Sequence, residues 1–482
     1  MLISSKSVRL ENMSTAFMIQ NEQGNIDECI SVPMQFNIES ANIEEILFLE
    51  EAESYLSRYP NTQHIDICLH DINGHIRGKR IDVSCLKKLA QGCYFPLSIY
   101  AMNLEGKVVE ETGLGKLIGE PDYFCKPILG TLQPCPIDPE FNAQLFLTMK
   151  EAQKDCKYEP RNILKNILNQ LHEKNFYPCM AAELEFYLFN KDTSNPNNIS
   201  VSQCFDVNTP DNYQEILNEV ERIATLQGIN ITGLVAESSS GQYEINIQHS
   251  GNILNLCDQI MLLKRTIKQV AMKHGLNASF LAKPDMYKAG SGMHFHMSLL
   301  DENKNNIFKT EVKDLLSIEL LKVVSGLVLF LPSSMAIIAP NVNSFRRFKL
   351  GNHVPLEANW GVNNRNVAIR IPCSDSENQR LEYRVAGADC NPYLTVATIL
   401  IATLHGLTHN LNIPKQVSHL GLNDEHILLT TNQLDALALF KANSVLQEYI
   451  GKDFTELWCT VKHSEYQNIY SQITGIEQNW DI

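Results

Sequence analysis

Ala181-Ala182-Glu183-Leu184-Glu185-Phe186-Tyr187-Leu188-Phe189 reads as a strand with two carboxylates on one face. Side chains at i and i+2 of a strand point the same way, so Glu183 and Glu185 project together while Leu184 and Phe186 face oppositely. The carboxylate face continues into Tyr187 and Phe189, which argues against simple solvation. Burying an ionised carboxylate is costly unless a partner offsets it, and divalent cations with oxygen ligands are the usual offset.

A lone Glu-x-Glu is more often an ordinary exposed strand face. A lone His-x-His is as often a structural pair as a ligand pair. Repetition shifts the balance here, because Glu237 with Glu244, His294-Phe-His296 and Arg380-Leu-Glu382-Tyr-Arg384 follow in the same region. In the last of these the same periodicity sets Glu382 between two guanidinium groups. Six of the chain's 13 arginines, Arg346, Arg347, Arg365, Arg370, Arg380 and Arg384, fall between positions 346 and 384. Arginine forks suit carboxylate and phosphate oxygens, so this cluster beside acidic and imidazole pairs predicts a nucleotide phosphate or an acidic substrate. There is no Walker-type loop, and Gly290-Ser291-Gly292 is too short to cradle phosphates alone.

Composition bounds the answer. A chain of 482 residues with 44% hydrophobic content predicts two domains. Its net charge of −15 argues against a nucleic-acid partner. No apolar run reaches the roughly 18 residues of a membrane span, and the polar N-terminus lacks signal-peptide features; a cytoplasmic protein with no membrane partner is expected. The 13 cysteines include no Cys-x-x-Cys pair and fit free thiols in a reducing compartment.

Residues 1–40 are polar with little periodicity and read as a loosely ordered extension. Helical periodicity follows over 42–59, then an alternating strand over 64–71, a turn at Ile72-Asn73-Gly74 and a second strand over 76–83. A polar break over 155–161 divides a small domain, 41–154, from a large one, 155–482. Pro160 suits the first position of a helix over 161–174. Further helices are expected over 209–226, 252–274 and 389–409.

The ordered series Glu183-x-Glu185, Glu237-Ser-Ser-Ser-Gly-Gln-Tyr-Glu244, Lys283-Pro284, Gly290-Ser-Gly-Met-His294-Phe-His296-Met-Ser298, Asn343-Ser-Phe-Arg-Arg347, Asn364-Arg365 to Arg370-Ile-Pro372, Arg380-Leu-Glu382-Tyr-Arg384 and Asn391-Pro-Tyr-Leu394 resembles the glutamine synthetase superfamily. The resemblance runs from His64 to Ala402. It implies an α+β fold in which a small N-terminal β-grasp domain, marked by Asp71-x-x-Gly74-x-x-Arg77-Gly78-Lys79, precedes a large catalytic domain built on an antiparallel sheet with flanking helices. It also implies ATP as a substrate and two or three divalent cations, magnesium or manganese. One ion falls to Glu185, Glu237 and Glu244 and another to Glu183, His294 and Glu382. Nucleotide contacts fall on His296, Ser298, Arg365, Arg370 and Arg380, and glutamate contacts on Gly290, Arg347 and Arg384. Catalytic roles fall on Arg365, Arg370 and Arg384. The implied chemistry is attack of glutamate's γ-carboxylate on the γ-phosphate of ATP, then displacement by an amine, in a homo-oligomer of hexameric rings stacked as a dodecamer.

Departures from the family pattern point to the amine. Ammonia-using members carry a flap glutamate six residues after the arginine matched by Arg347, where this chain has His353, which serves either as a base or as a packing residue. Ala289 replaces an asparagine and Val235 a histidine, and the segment 103–106, Asn-Leu-Glu-Gly, stands where an Asp-Gly pair is expected. Ammonium needs a tight acidic cage because it offers no apolar surface. These changes resemble the γ-glutamylpolyamine (γ-glutamylputrescine) synthetase branch, and imply putrescine or a related amine as acceptor. An ammonia-using glutamine synthetase and a catalytically silent structural relative are the alternatives.

Overall fold

Asp71 shapes the first hairpin of the chain: its carboxylate accepts the main-chain N–H groups of Asn73 at 3.0 Å and His75 at 2.8 Å and pairs with Arg77 at 2.9 Å. Gly74 supplies the left-handed residue at φ 76° that such a turn needs. The strands His64–His70 and Ile76–Asp82 pair antiparallel across it, as the alternation predicted. In this computed structural model the described residues are 43–152, 154–190, 203–208, 211–310, 312, 315–349, 354–418 and 427–480, and from Glu44 onward they form one compact unit. The expected extension over 1–40 lies outside the described residues, as do His353 and the Thr209-Pro210 pair.

Asn142–Glu151 runs parallel beside His64–His70, and Asp122–Pro127 and Cys93–Pro96 complete the main path of this first sheet. Helix Ile43–Arg58 forms where predicted, but it buries Phe48, Ala52 and Tyr55, whereas Ile43 and Leu47, which the periodicity had placed on its apolar face, are exposed.

The second sheet orders its strands as Trp360–Val362, Ile369–Ile371, Leu381–Tyr383, Met293–Leu300, Tyr177–Asn190, Gln242–Ser250 and Ile231–Ala236. Tyr177–Asn190 is the central strand. Neighbours run antiparallel except at one edge, where Trp360–Val362 and Ile369–Ile371 are parallel, so the expected antiparallel sheet is mixed there. The Asn359 side chain accepts the Ala368 N–H at 3.0 Å, which returns the chain alongside Trp360 in the same direction.

Helices cover the sheet where predicted: Pro160–His172 with proline at its start, Asp211–Leu226, Ile253–Lys273 and Pro392–Thr408. Ile318–Ile338 was not foreseen. It is long and apolar enough to cross a membrane by length and composition, yet it packs closely on Pro392–Thr408 within the core. A Cβ at Gly326 would lie 2.0 Å from the Ala402 carbonyl oxygen, and one at Gly406 would lie 2.3 Å from that of Lys322. Only glycine permits that approach.

Candidate active site

Strand register, more than any local motif, assembles the site. Glu183 on the central strand stands opposite His294 on one neighbour and Asn246 on the other. Glu185 stands opposite Glu244. One strand further out, Glu382 faces His296, and Arg370 faces Glu382 from the strand beyond. The period-2 pairs read in the sequence therefore share one face of the sheet.

His294 sits among three carboxylates, with Nδ1 at 3.3 Å from Glu183 and 3.9 Å from Glu382, and Nε2 at 4.0 Å from Glu185. Ligand atoms of Glu183, His294 and Glu382 lie within 4.8 Å of one another, as do those of Glu185, Glu244 and His294. The first trio is the one the family pattern implied. In the second, His294 stands with Glu185 and Glu244, while Glu237 lines the same cavity without entering the tight cluster. Glu237 follows strand Ile231–Ala236 in the turn that its N–H closes on the Gln242 carbonyl at 3.0 Å.

Around Glu244 carboxylates are crowded together. Burial and the neighbouring carboxylates Glu183, Glu185, Glu237 and Glu382 push Glu244 up to about 9. Burial and Glu185 raise Glu237. Against the effect of burial, hydrogen bonds from His294 and His296 hold Glu183 well below the usual carboxylate range. Like charges placed directly opposite on a sheet repel, and a divalent cation is what this carboxylate and imidazole donor set suits.

His296 has a fixed tautomer. Arg380 Nε, which can only donate, lies 3.4 Å from its Nδ1, so Nε2 carries the proton toward Glu183 at 2.8 Å. This corrects half of the expectation that Arg380 and Arg384 flank Glu382: Arg384 does, Arg380 does not. Glu382 pairs with Arg384 and, from the neighbouring strand, with Arg370 at 2.8 Å, while Arg380 turns toward His296.

Glu183, Glu185, Glu244, His294 and Glu382 line a cavity of about 790 Å³ together with Gly290, Arg347, Arg365, Arg370 and Arg384. Ser298 shares the face of His294 and His296 by alternation but, like His296 and Arg380, stands outside the lining. Arg347 is only 4% exposed, and its guanidinium donates to the main-chain carbonyls of Val385 at 2.8 Å and Arg384 at 3.3 Å. Burial pulls its pKa down. A Cβ at position 290 would lie 2.7 Å from the Ala282 carbonyl oxygen and 2.7 Å from Cγ of Arg347; glycine lets the arginine stem pass.

Sequence reading assigned no contact in the site to several residues that the fold brings here, although it quoted Gln242, Lys283 and Val235. Gln242 and Asn246 line the cavity, and Asn246 donates to Glu244 at 3.0 Å. Both stand two positions from Glu244, so the same alternation could have found them. Lys283, 4% exposed, donates to the Lys288 carbonyl. Phe205, Val235, Met286 and Val354 give the cavity an apolar wall.

Residues 157–481 match the family model described as "Glutamine synthetase, catalytic domain". Gamma-glutamylputrescine synthetase PuuA of Escherichia coli (strain K12) is 44% identical over 449 residues, spanning 90% of this chain and 94% of the relative. Glutamate–isopropylamine ligase of Pseudomonas sp is 28% identical over 434 residues, spanning 86% of this chain and 92% of the relative. The solved structure of ligand-free GmaS aligns with a TM-score of 0.77 at 25% identity, over 88% of this chain and 98% of its own.

Proposed function

The chain belongs to the glutamine synthetase family, and on that premise we propose that it ligates the γ-carboxylate of glutamate to putrescine or a related polyamine, driven by ATP, through γ-glutamyl phosphate. The observation that carries the reading is two overlapping ligand clusters that share His294 beside a buried arginine whose hydrogen bonds, among the described residues, go to main-chain carbonyls. Relatives named for ligation of glutamate to an amine, or for its γ-glutamylputrescine product, support it.

Glu183, His294 and Glu382 would hold one divalent cation, and Glu185 and Glu244 with Glu237 another. Cations bound there supply charge neutralisation between phosphate and carboxylate, which otherwise repel. Arg347 and the Gly290 carbonyl receive the α-carboxylate and ammonium of glutamate. Arg384 adds to the glutamate site. Arg365 and Arg370 face the transferring phosphoryl group, where preorganised guanidinium groups stabilise developing charge, while His296, Ser298 and Arg380 extend the nucleotide side. His353 acts at the amine. The hydrogen bonds that fix His296 and the paired arginines on Glu382 keep these groups from reorganising during the reaction.

The first sheet and its helix form a β-grasp domain over 41–154, with the catalytic domain over 155–482. The working protein is cytoplasmic and assembles as hexameric rings. A phosphate-release assay with glutamate and ATP across ammonia, putrescine, spermidine and ethanolamine tests the reading. Release that depends on putrescine supports it. Release with ammonia alone makes the protein a glutamine synthetase, and no release with any amine leaves a silent relative.

A further inference from the structure

We infer that Gln242 is a positioning residue for the donor substrate, its buried carboxamide locking the Gly290 carbonyl to the Glu185 carboxylate. The inference rests on the glutamate reading above. Gln242 is 1% exposed and sits on the sheet face two positions before Glu244. Its Nε2 donates to the Gly290 carbonyl at 3.0 Å and to Glu185 Oε2 at 3.4 Å. The same Glu185 oxygen accepts the Gly292 N–H at 2.8 Å, so the residues on both sides of Ser291 are held by two adjacent strands, Gly290 by Gln242 and Gly292 by Glu185.

Two neighbours complete the fastening. Tyr187 Oη donates to the Ala289 carbonyl at 2.8 Å and lies 3.2 Å from Gln242 Oε1. Ser239 Oγ accepts the Ala289 N–H at 2.9 Å. The peptide from Ala289 to Gly290 is therefore tied by side chains of strands or turns that also carry the acidic pairs. A main-chain carbonyl has two lone pairs, and Gln242 occupies one of those on Gly290, leaving the other for a substrate ammonium. Small displacements of a positioning group cost large factors in rate. Without the carboxamide, nothing else in this network holds the Gly290 carbonyl, whereas Arg347 keeps its own anchors on Val385 and Arg384.

Ammonium recognition should thus fail while carboxylate recognition survives. Glutarate, which has both carboxylates of glutamate and no ammonium, separates the two. Steady-state kinetics of the full-length protein with Gln242→Met, an apolar near-isostere, would give KM for glutamate, Ki for glutarate against glutamate, and KM for ATP. The expected result is a rise in KM for glutamate of roughly 10-fold or more, the scale of a lost hydrogen bond to a charged group, with Ki for glutarate and KM for ATP within about twofold of wild type. Tyr187→Phe removes only the hydroxyl and should move the same ratio in the same direction by less; if Gln242→Met does not fold, it decides alone. Equal changes for glutamate and glutarate, or no change, in an active variant overturn the inference and leave the ligase reading intact. A wild-type protein that releases no phosphate with glutamate overturns both.

Discussion

Glu185 and Glu244 face each other as register partners on adjacent antiparallel strands, each 8% exposed. Like charges placed directly opposite on a sheet repel. In the metal-free protein Glu244 is pushed up to about 9 from 4.5 by burial and its acidic neighbours. A folded-state pKa above the unfolded one means that the folded protein holds a proton the unfolded chain has lost. Stability in chelator should therefore be greatest below pH 4.5 as far as this group is concerned, and fall as pH rises toward about 9. Glu244→Gln should flatten that decline in a Tm against pH series, whereas its activity with manganese should be abolished. A variant that keeps the wild-type slope, or keeps turnover, contradicts the assignment of Glu244.

Metal binding should counter the same repulsion from outside. A ligand that binds only the folded state stabilises it by about 2.7 kcal/mol at 100 times its Kd, so millimolar manganese should raise Tm by several degrees relative to chelator. The shift should shrink in Glu185→Ala, which loses a ligand and leaves a gap. Calorimetric titration with manganese checks it directly: equal affinity in wild type and variant would remove Glu185 from the ligand set.

His70 sets an acid limit. Its ring packs edge-on against Phe146, with centroids 4.3 Å apart, lies 3.4 Å from the Tyr393 hydroxyl, and is held neutral by burial, with its pKa down to about 4 from 6.5. A depressed folded-state value means the unfolded chain binds the proton first, so the stabilising contribution is complete above pH 6.5 and is lost as pH falls toward about 4. The loss amounts to roughly 3 kcal/mol over that window. His75 is lowered in the same sense by burial and nearby cations. His70→Leu should therefore reduce, without removing, the drop in Tm between pH 6.5 and 4.5.

The periodicity of Glu183-x-Glu185 and His294-x-His296 was legible because alternation is a local property, and the structure keeps both pairs on one face. Of the two partners of Glu382, Arg384 was legible by the same spacing, but Arg370 was not. Arg370 reaches it through pairing between separate strands, which no local spacing encodes, while Arg380, closer in sequence, lies beyond the strand's end. Gln242 carried the right spacing, but a neutral side chain attracts no notice beside so many carboxylates. Helix Ile318–Ile338 escaped because it is apolar on nearly every side, with Pro332 inside it, and a helix buried all round shows no amphipathic period.

Arg347 is the residue to test for the substrate carboxylate. Its guanidinium is buried and its hydrogen bonds go to carbonyls, so a bound carboxylate would form a charge-assisted, desolvated pair, the strongest kind available here. Arg347→Lys keeps the charge but loses the fork. KM for glutamate should rise by roughly one to two decades, the scale of about 1.5–3 kcal/mol for a hydrogen bond to a charged group, with KM for ATP little changed. A parallel rise in both constants would mean that the arginine supports the fold around Gly290 instead.

The amine remains the finest distinction, and the cavity wall bears on it. Phe205, Val235, Met286 and Val354 line the same cavity as Glu237 and Glu244, with Val235 the register partner of Glu244, so an alkyl chain bound there can leave water while its nitrogen meets carboxylates. Ammonium gains its binding from charged and hydrogen-bonding groups around one nitrogen, whereas each methylene of a diamine buries surface worth about 0.8 kcal/mol. The four methylenes of putrescine could supply up to roughly 3 kcal/mol, about two decades in specificity. His353, outside the described residues, stands in the sequence where ammonia-using relatives have a flap glutamate, and a histidine can accept a proton near neutral pH. The wild type should therefore favour putrescine over ammonia by about two decades in kcat/KM, and His353→Glu should narrow that ratio by restoring an acidic group at the reacting nitrogen. A wild type that prefers ammonia would transfer the protein to the glutamine synthetases proper. An unchanged ratio in His353→Glu, with putrescine still preferred, would place the discrimination in the apolar wall alone.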